Sequence, residues 1–149
     1  MCVDINEIFK MLSWNSPENV QRQGVEAAKK IKYISILFQP IEDKSVWENC
    51  AKVICQRTDQ ELRMYLYDMF GWLKDMNWPG FFIIYDRIKI MKPAFIVSTY
   101  IYMIKTACLM QDENWLDYLA GLIENRELYE LLPQEYQILM KKHYEDFWK

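Results

Sequence analysis

GWLKDMNWPGFFIIYDR, residues Gly71 to Arg87, is the stretch whose reading decides the fold. It holds two of the six tryptophans and a helix stop followed at once by a helix start. A proline cannot continue a helix already running, because its ring clashes with the preceding turn and it has no N–H to donate. The spacing therefore predicts that one helix ends near Asn77 and another begins with Pro79 in its first turn, capped by Asn77 or Trp78. Upstream, Thr58-Asp59-Gln60-Glu61 matches a capping box. It opens a predicted helix whose core stripe is Leu62, Leu66, Met69, Phe70 and Leu73, with Tyr65, Trp72 and Met76 on an adjacent face. Downstream, Phe81, Ile84, Ile88 and Met91 recur at helical spacing.

The same logic extends both ways. Val3, Ile5, Ile8, Phe9 and Leu12 suit a short amphipathic helix over 3–14. Ser16 is the expected cap of the next helix, with Pro17 at its first position and Glu18 at its positive end. Its apolar positions run through Gly24, Ala27, Ala28 and Ile31 to a stop at Pro40. Asp43 is expected to cap a helix presenting Trp47, Cys50, Ala51 and Ile54. Pro93 starts a helix with Ile96, Val97, Tyr100, Ile104 and Cys108, apolar on most sides and so expected at the centre. Asp112 caps one carrying Trp115, Leu116, Leu119, Leu122 and Ile123. A short turn is expected after Glu124-Asn125-Arg126, and Leu132-Pro133 is expected to open a last helix with Tyr136, Leu139, Met140, Tyr144 and Phe147. The predicted class is all-α, one domain over 1–149. Its arrangement is expected to be a HEAT/armadillo-like α-solenoid of antiparallel helix pairs, with about seven or eight helices, rather than an orthogonal bundle. Proline-started helices at Pro17, Pro79, Pro93 and Pro133, and Asp-to-Trp turns at Asp43–Trp47 and Asp112–Trp115, give weak internal repetition.

Composition narrows the function. A chain of 149 residues that is 52% apolar and 15% aromatic can fold on its core alone, without metal or disulfide. A net charge of −3 and a pI near 5.3 argue against nucleic acid, which selects a basic stripe; Lys29, Lys30 and Lys32 make only a small patch. The run Pro93–Met110 is too short and too polar to span a membrane, and MCVDINEIFKML has no secretory pattern, so a cytoplasmic location is expected. Cys2, Cys50, Cys55 and Cys108 contain no CxxC, and the single histidine, His143, lies far from them, so no metal site and no cofactor are expected.

No catalytic constellation is visible. His143 lacks a nucleophile and an orienting partner in the sequence and is expected at the surface. Asp68 and Asp75 lie seven residues apart, roughly 10 Å along a helix, with no substrate cleft implied. The candidate partner-binding residues are Trp72, Asp75, Asn77, Trp78, Arg87, Asp112 and Trp115, because interfaces favour tryptophan and arginine at their centres. Each also has an ordinary role: Trp72 packs between helices, Asn77 caps, and Asp75 pairs with Arg87 or caps a backbone N–H. An acidic face from Asp59, Glu61, Asp68, Asp75, Asp86, Asp112, Glu113 and Asp117 would speed association with a basic partner; its plain alternative is a solvated helix exterior.

The segment Trp72-Leu73-Lys74-Asp75-Met76-Asn77-Trp78-Pro79-Gly80 resembles the signature of a bacterial family of unknown function that carries a WLxDMNWPG-type turn. The resemblance covers about 45–130, including Trp47, Arg87 and Asp112-Glu113-Asn114-Trp115-Leu116. It implies a HEAT-like helical fold and a role like that of an immunity protein, and it supplies no catalytic residues. The expected function is a protein–protein interaction module that neutralises a bacterial toxin domain by covering it. The alternative is an enzyme or small-ligand binder with an aromatic-lined pocket served by Asp75, Arg87 or His143.

Overall fold

The computed structural model describes residues 4–149. Among them every regular element is helical: α1 Ile5–Leu12, α2 Glu18–Ala28, α3 Trp47–Ile54, α4 Asp59–Leu62, α5 Leu66–Gly71, α6 Phe81–Lys89, α7 Pro93–Leu109, α8 Glu113–Ala120, α9 Arg126–Leu131 and α10 Gln134–Phe147. Short 3-10 turns occupy Ile34–Leu37, Lys44–Val46, Arg63–Tyr65, Trp72–Lys74 and Gly121–Glu124. Val3 and Cys2 lie outside the described residues.

The local signals act largely as expected. The Thr58–Glu61 capping box is complete, each side chain accepting from the other's backbone N–H. Asp43 accepts from the Ser45 N–H and leads into α3, and Asp112 accepts from the Trp115 N–H at the start of α8. Pro93 sits in the first turn of α7, where its missing N–H costs nothing. The face Trp47, Cys50, Ala51 and Ile54 is buried, as is the stripe Leu62, Leu66, Met69, Phe70 and Leu73.

Four expectations are corrected. The helix predicted from Thr58 is divided into α4, a 3-10 turn, α5 and a second 3-10 turn. Its apolar positions include the three-residue steps Leu66, Met69, Trp72, which suit the tighter 3-10 period as well as the α one. The segment towards Pro40 stops being α-helical at Ala28, and Ser16 does not cap α2; its hydroxyl donates to the Lys10 carbonyl instead. The segment after 124–126, expected to be only a turn, is the helix α9, because Asn125 accepts from the Leu128 N–H and caps it. Finally, α7 buries one side only. Ile96, Tyr100 and Ile104 face inward, whereas Tyr102, Leu109 and Met110 face out. The helices are therefore more numerous and shorter than expected.

One buried apolar cluster runs from Ile8 in α1 to Met140 in α10. Packing follows chain order: α1 on α2, α2 on α3, α3 on α6, α5 on α7, α7 on α8, and α8 on α10. A recurring device closes the carbonyl ends of these helices, which have no partners within the helix itself. Asn49 donates to the Leu12 carbonyl at 2.7 Å, closing α1. Arg57 donates to the carbonyls of Lys29 and Ile31 at 3.1 and 2.6 Å, just beyond α2. Arg87 does the same past α3, at Cys55 and Arg57, over 3.1 and 2.8 Å. Asn125 donates to the Lys89 carbonyl at 2.9 Å, closing α6. Each end is tied by a side chain from a later element, so neighbouring helices are locked in sequence.

Candidate functional site

The motif residues fold into two consecutive turns. Asp75 accepts from the Asn77 N–H at 2.9 Å, and its carbonyl accepts from the Trp78 N–H at 3.1 Å. The Phe81 N–H then donates to the Trp78 carbonyl at 3.1 Å, closing Trp78-Pro79-Gly80-Phe81. With proline second and Gly80 third at φ +87°, this is a type II turn. Pro79 thus lies before α6 rather than inside it, and Gly80, not Asn77 or Trp78, is the residue that precedes the helix. Two demands meet at Gly80. Its φ suits glycine, and a Cβ would stand 2.9 Å from the Ala51 Cβ and 3.0 Å from the Trp72 ring.

Trp72 is fully buried, and its indole N–H donates to the Pro79 carbonyl at 2.9 Å. Trp47 packs edge-on between Trp72 and Trp78, with ring centroids 6.1 and 5.9 Å away. Phe38 adds a further edge contact to Trp72. The motif is therefore a tryptophan-centred joint between α3, the 72–74 turn and α6.

The seven candidate residues part company in space. Trp72 and Trp115 are internal, at 0% and 1% exposure, and have no surface to offer a partner. Arg87 does not pair with Asp75. It pairs with Asp59 at 2.7 Å, and the same carboxylate accepts from the Lys92 N–H at 3.0 Å. Asp75, Asn77, Trp78 and Asp112 do reach the surface. Asp75 and Asp112 converge on Tyr118, because the 72–74 turn packs on α8. Partial burial, then the charges of Asp75, Asp117 and Asp112, push the Tyr118 hydroxyl's pKa up. Beside them, the Lys74 ammonium lies over the Trp115 ring, 4.9 Å from its centroid.

His143 is not a surface residue. Its side chain is 13% exposed, and Nδ1 lies 2.7 Å from the Asp117 carboxylate, tying α10 to α8. Glu113 stands 3.6 Å from Nε2. The thiols of Cys50 and Cys55 are pushed up to about 12 by burial, which holds them protonated and unreactive. Among the described residues no three His, Cys, Asp or Glu converge as a group able to hold a metal ion, and no helix is long and apolar enough to cross a membrane. Among several shallow open clefts, one of about 350 Å³ lies where α9 and α10 meet, lined by Glu124, Tyr129, Lys141 and Tyr144. None of the seven candidates lines it. Glu124 there is held below the usual carboxylate range by hydrogen bonds from Lys89 and then Tyr144.

Sequence reasoning missed two features. Asn49, Arg57 and Asn125 carried no signal as cross-element caps, because the carbonyls they meet are distant in the chain. The second is an exposed apolar strip: Met64, Tyr67, Tyr102 and Leu109 are 79%, 60%, 52% and 86% exposed. Tyr67 and Tyr102 meet edge to face at 5.4 Å and join the outward sides of α5 and α7. The signal available was the i, i+7 pair Tyr102 and Leu109 on a helix apolar all round.

A model of the family described as Domain of unknown function (DUF5071) matches residues 41–146. The chain belongs to that family. The matched stretch of this DUF5071 protein starts just ahead of Asp43 and includes α3 and the tryptophan joint; α1 and α2 lie outside it. No curated protein and no solved structure matches the chain.

Proposed function

We propose that this DUF5071 protein is a non-catalytic protein-binding module, and that its partner is a toxin domain which it neutralises by occlusion, as an immunity protein does. The observation that carries the binding role is the strip Met64, Tyr67, Tyr102 and Leu109. Exposed apolar surface rimmed by polar groups marks interaction sites; Tyr67 and Tyr102 are in contact at its centre, with the exposed Lys105 beside them on α7, and tyrosine and methionine are enriched in interface cores. From Leu109 the chain runs through Met110 and Gln111 to Asp112 and Glu113, so acidic charge follows the end of α7. A partner with an apolar centre flanked by basic groups fits it; Asp75, Asn77, Trp78 and Asp112 are the further surface residues proposed to meet that partner. The toxin-directed role rests on the WLKDMNWPG turn and its resemblance to immunity-like bacterial proteins. The chain-order packing and the repeated cross-element caps support a HEAT-like stack of helix pairs. In this reading the protein works in the bacterial cytoplasm, without cofactor, nucleic acid or membrane.

The test is co-expression with the toxin domains encoded beside it, scoring copurification and survival. The wild type copurifies and protects. Tyr102→Glu with Leu109→Asp, both on exposed positions, lowers affinity at least about tenfold, roughly 1.4 kcal/mol, and leaves the chain folded with only a small fall in melting temperature from the lost Tyr67 contact. Absence of binding and protection with every such toxin overturns the toxin role. Full affinity in the double variant overturns the strip.

A further inference from the structure

The end of α10 is held differently from the rest of the molecule. Among its described side chains only Met140 is fully buried, while Tyr136, Leu139 and Tyr144 are half-buried. Its last turn is fixed by two aromatic rings. Phe147 packs edge-on against Tyr118 at 5.7 Å. Trp148 lies flat on Tyr85, with centroids 5.3 Å apart and planes 12° from parallel. The Trp148 indole N–H donates to the Asp117 carbonyl at 2.7 Å. Gly121 forms the remaining wall: a Cβ there would come within 2.8 and 2.9 Å of the Trp148 ring and would overlap the Tyr85 hydroxyl. A stacking face, one in-plane acceptor and a glycine wall together suit an indole, which is flat, apolar and carries a single N–H donor.

We propose that Tyr85, Gly121 and the Asp117 carbonyl form an indole receptor that the chain fills with its own Trp148, so that this ring latches the C-terminal end of α10. This goes beyond the toxin-binding role and does not depend on it. Trp148 falls outside the stretch matched by the family model, whereas the receptor residues fall inside it. Tethering gives the ring an effective concentration in the millimolar range, so added indole does not displace it from the intact chain.

The experiment uses the full chain and free indole as the probe. Trp148→Gly melts lower than wild type and shows faster amide exchange at 141–149; indole raises its melting temperature saturably and restores protection. Wild type does not respond. 1-Methylindole, which lacks the N–H, binds Trp148→Gly at least about tenfold more weakly. No response of Trp148→Gly to indole, an equal response of wild type, or equal binding of 1-methylindole overturns the receptor. Should Trp148→Gly fail to fold, Gly121→Ala is read in its place. It accelerates exchange at 141–149 at least tenfold while the amides of α3 stay protected; unchanged exchange overturns the latch.

Discussion

Two helix junctions in this molecule solve the same problem by opposite means. Both the 75–81 turn before α6 and the 107–112 turn after α7 place one residue at positive φ. At the first it is Gly80, pressed between Ala51, Trp72 and the Trp47 carbonyl. At the second it is Gln111, exposed, at φ +53°. The second junction closes itself. The Asp112 N–H donates to the Ala107 carbonyl at 2.9 Å and the Gln111 N–H to Cys108 at 3.1 Å, the Schellman pattern. The first junction also closes its two turns through its own backbone, but it is held in addition by its surroundings: the Trp72 indole reaches its Pro79 carbonyl, and Trp47 packs across it. Glycine is obligatory where left-handed backbone and close approach coincide, and only preferred where left-handed backbone stands alone.

That contrast breaks first at Gly80. Gly80→Ala adds a strained φ and a core overlap, and chemical denaturation should show a loss of about 3 kcal/mol. A loss below about 1 kcal/mol would mean the joint is not tight. Next is Arg87, whose two carbonyl bonds close α3 from a distance where α7 needs no such help. Arg87→Ala strands those carbonyls and the Asp59 charge, which is a third exposed. The expected loss is about 2–3 kcal/mol, read by the same denaturation, with early amide exchange near 53–57. Trp72→Phe keeps an aromatic in the joint but removes the bond to Pro79 and leaves a small void; thermal unfolding should report a loss of about 2 kcal/mol. At the open junction the sign reverses. Gln111→Gly relieves the left-handed strain with no packing loss and should stabilise by about 0.5–1 kcal/mol, a small rise in melting temperature.

These junctions also show where sequence reading stops. Gly80 lies within the motif, yet the spacing predicts a helix start at Pro79, because Pro at a first helical position and Pro second in a type II turn look alike in one dimension. Phe81, Ile84 and Ile88 were nonetheless placed correctly, since a shift of the start leaves the 3.6 spacing intact. Gln111 carried no signal, because a Schellman end is legible only when glycine marks it. Arg87 was singled out for the wrong partner. Asp75 stands closer along the chain, but Asp59 is what the packing of α6 on α3 brings to it.

The chain's residues by themselves determined the all-helical class, the caps at Asp43, Thr58 and Asp112, the helix start at Pro93, and most of the buried positions. Those depend on backbone propensity and on periods of three to four residues, which are local quantities. Only the tertiary structure decided which tryptophans lie inside, which carbonyls Asn49, Arg57, Arg87 and Asn125 close, and that α7 turns Tyr102 and Leu109 outward while α10 seats Trp148 against Tyr85. Burial and pairing of that kind depend on which helices meet. Two apolar faces of one helix look the same until a neighbour covers one of them.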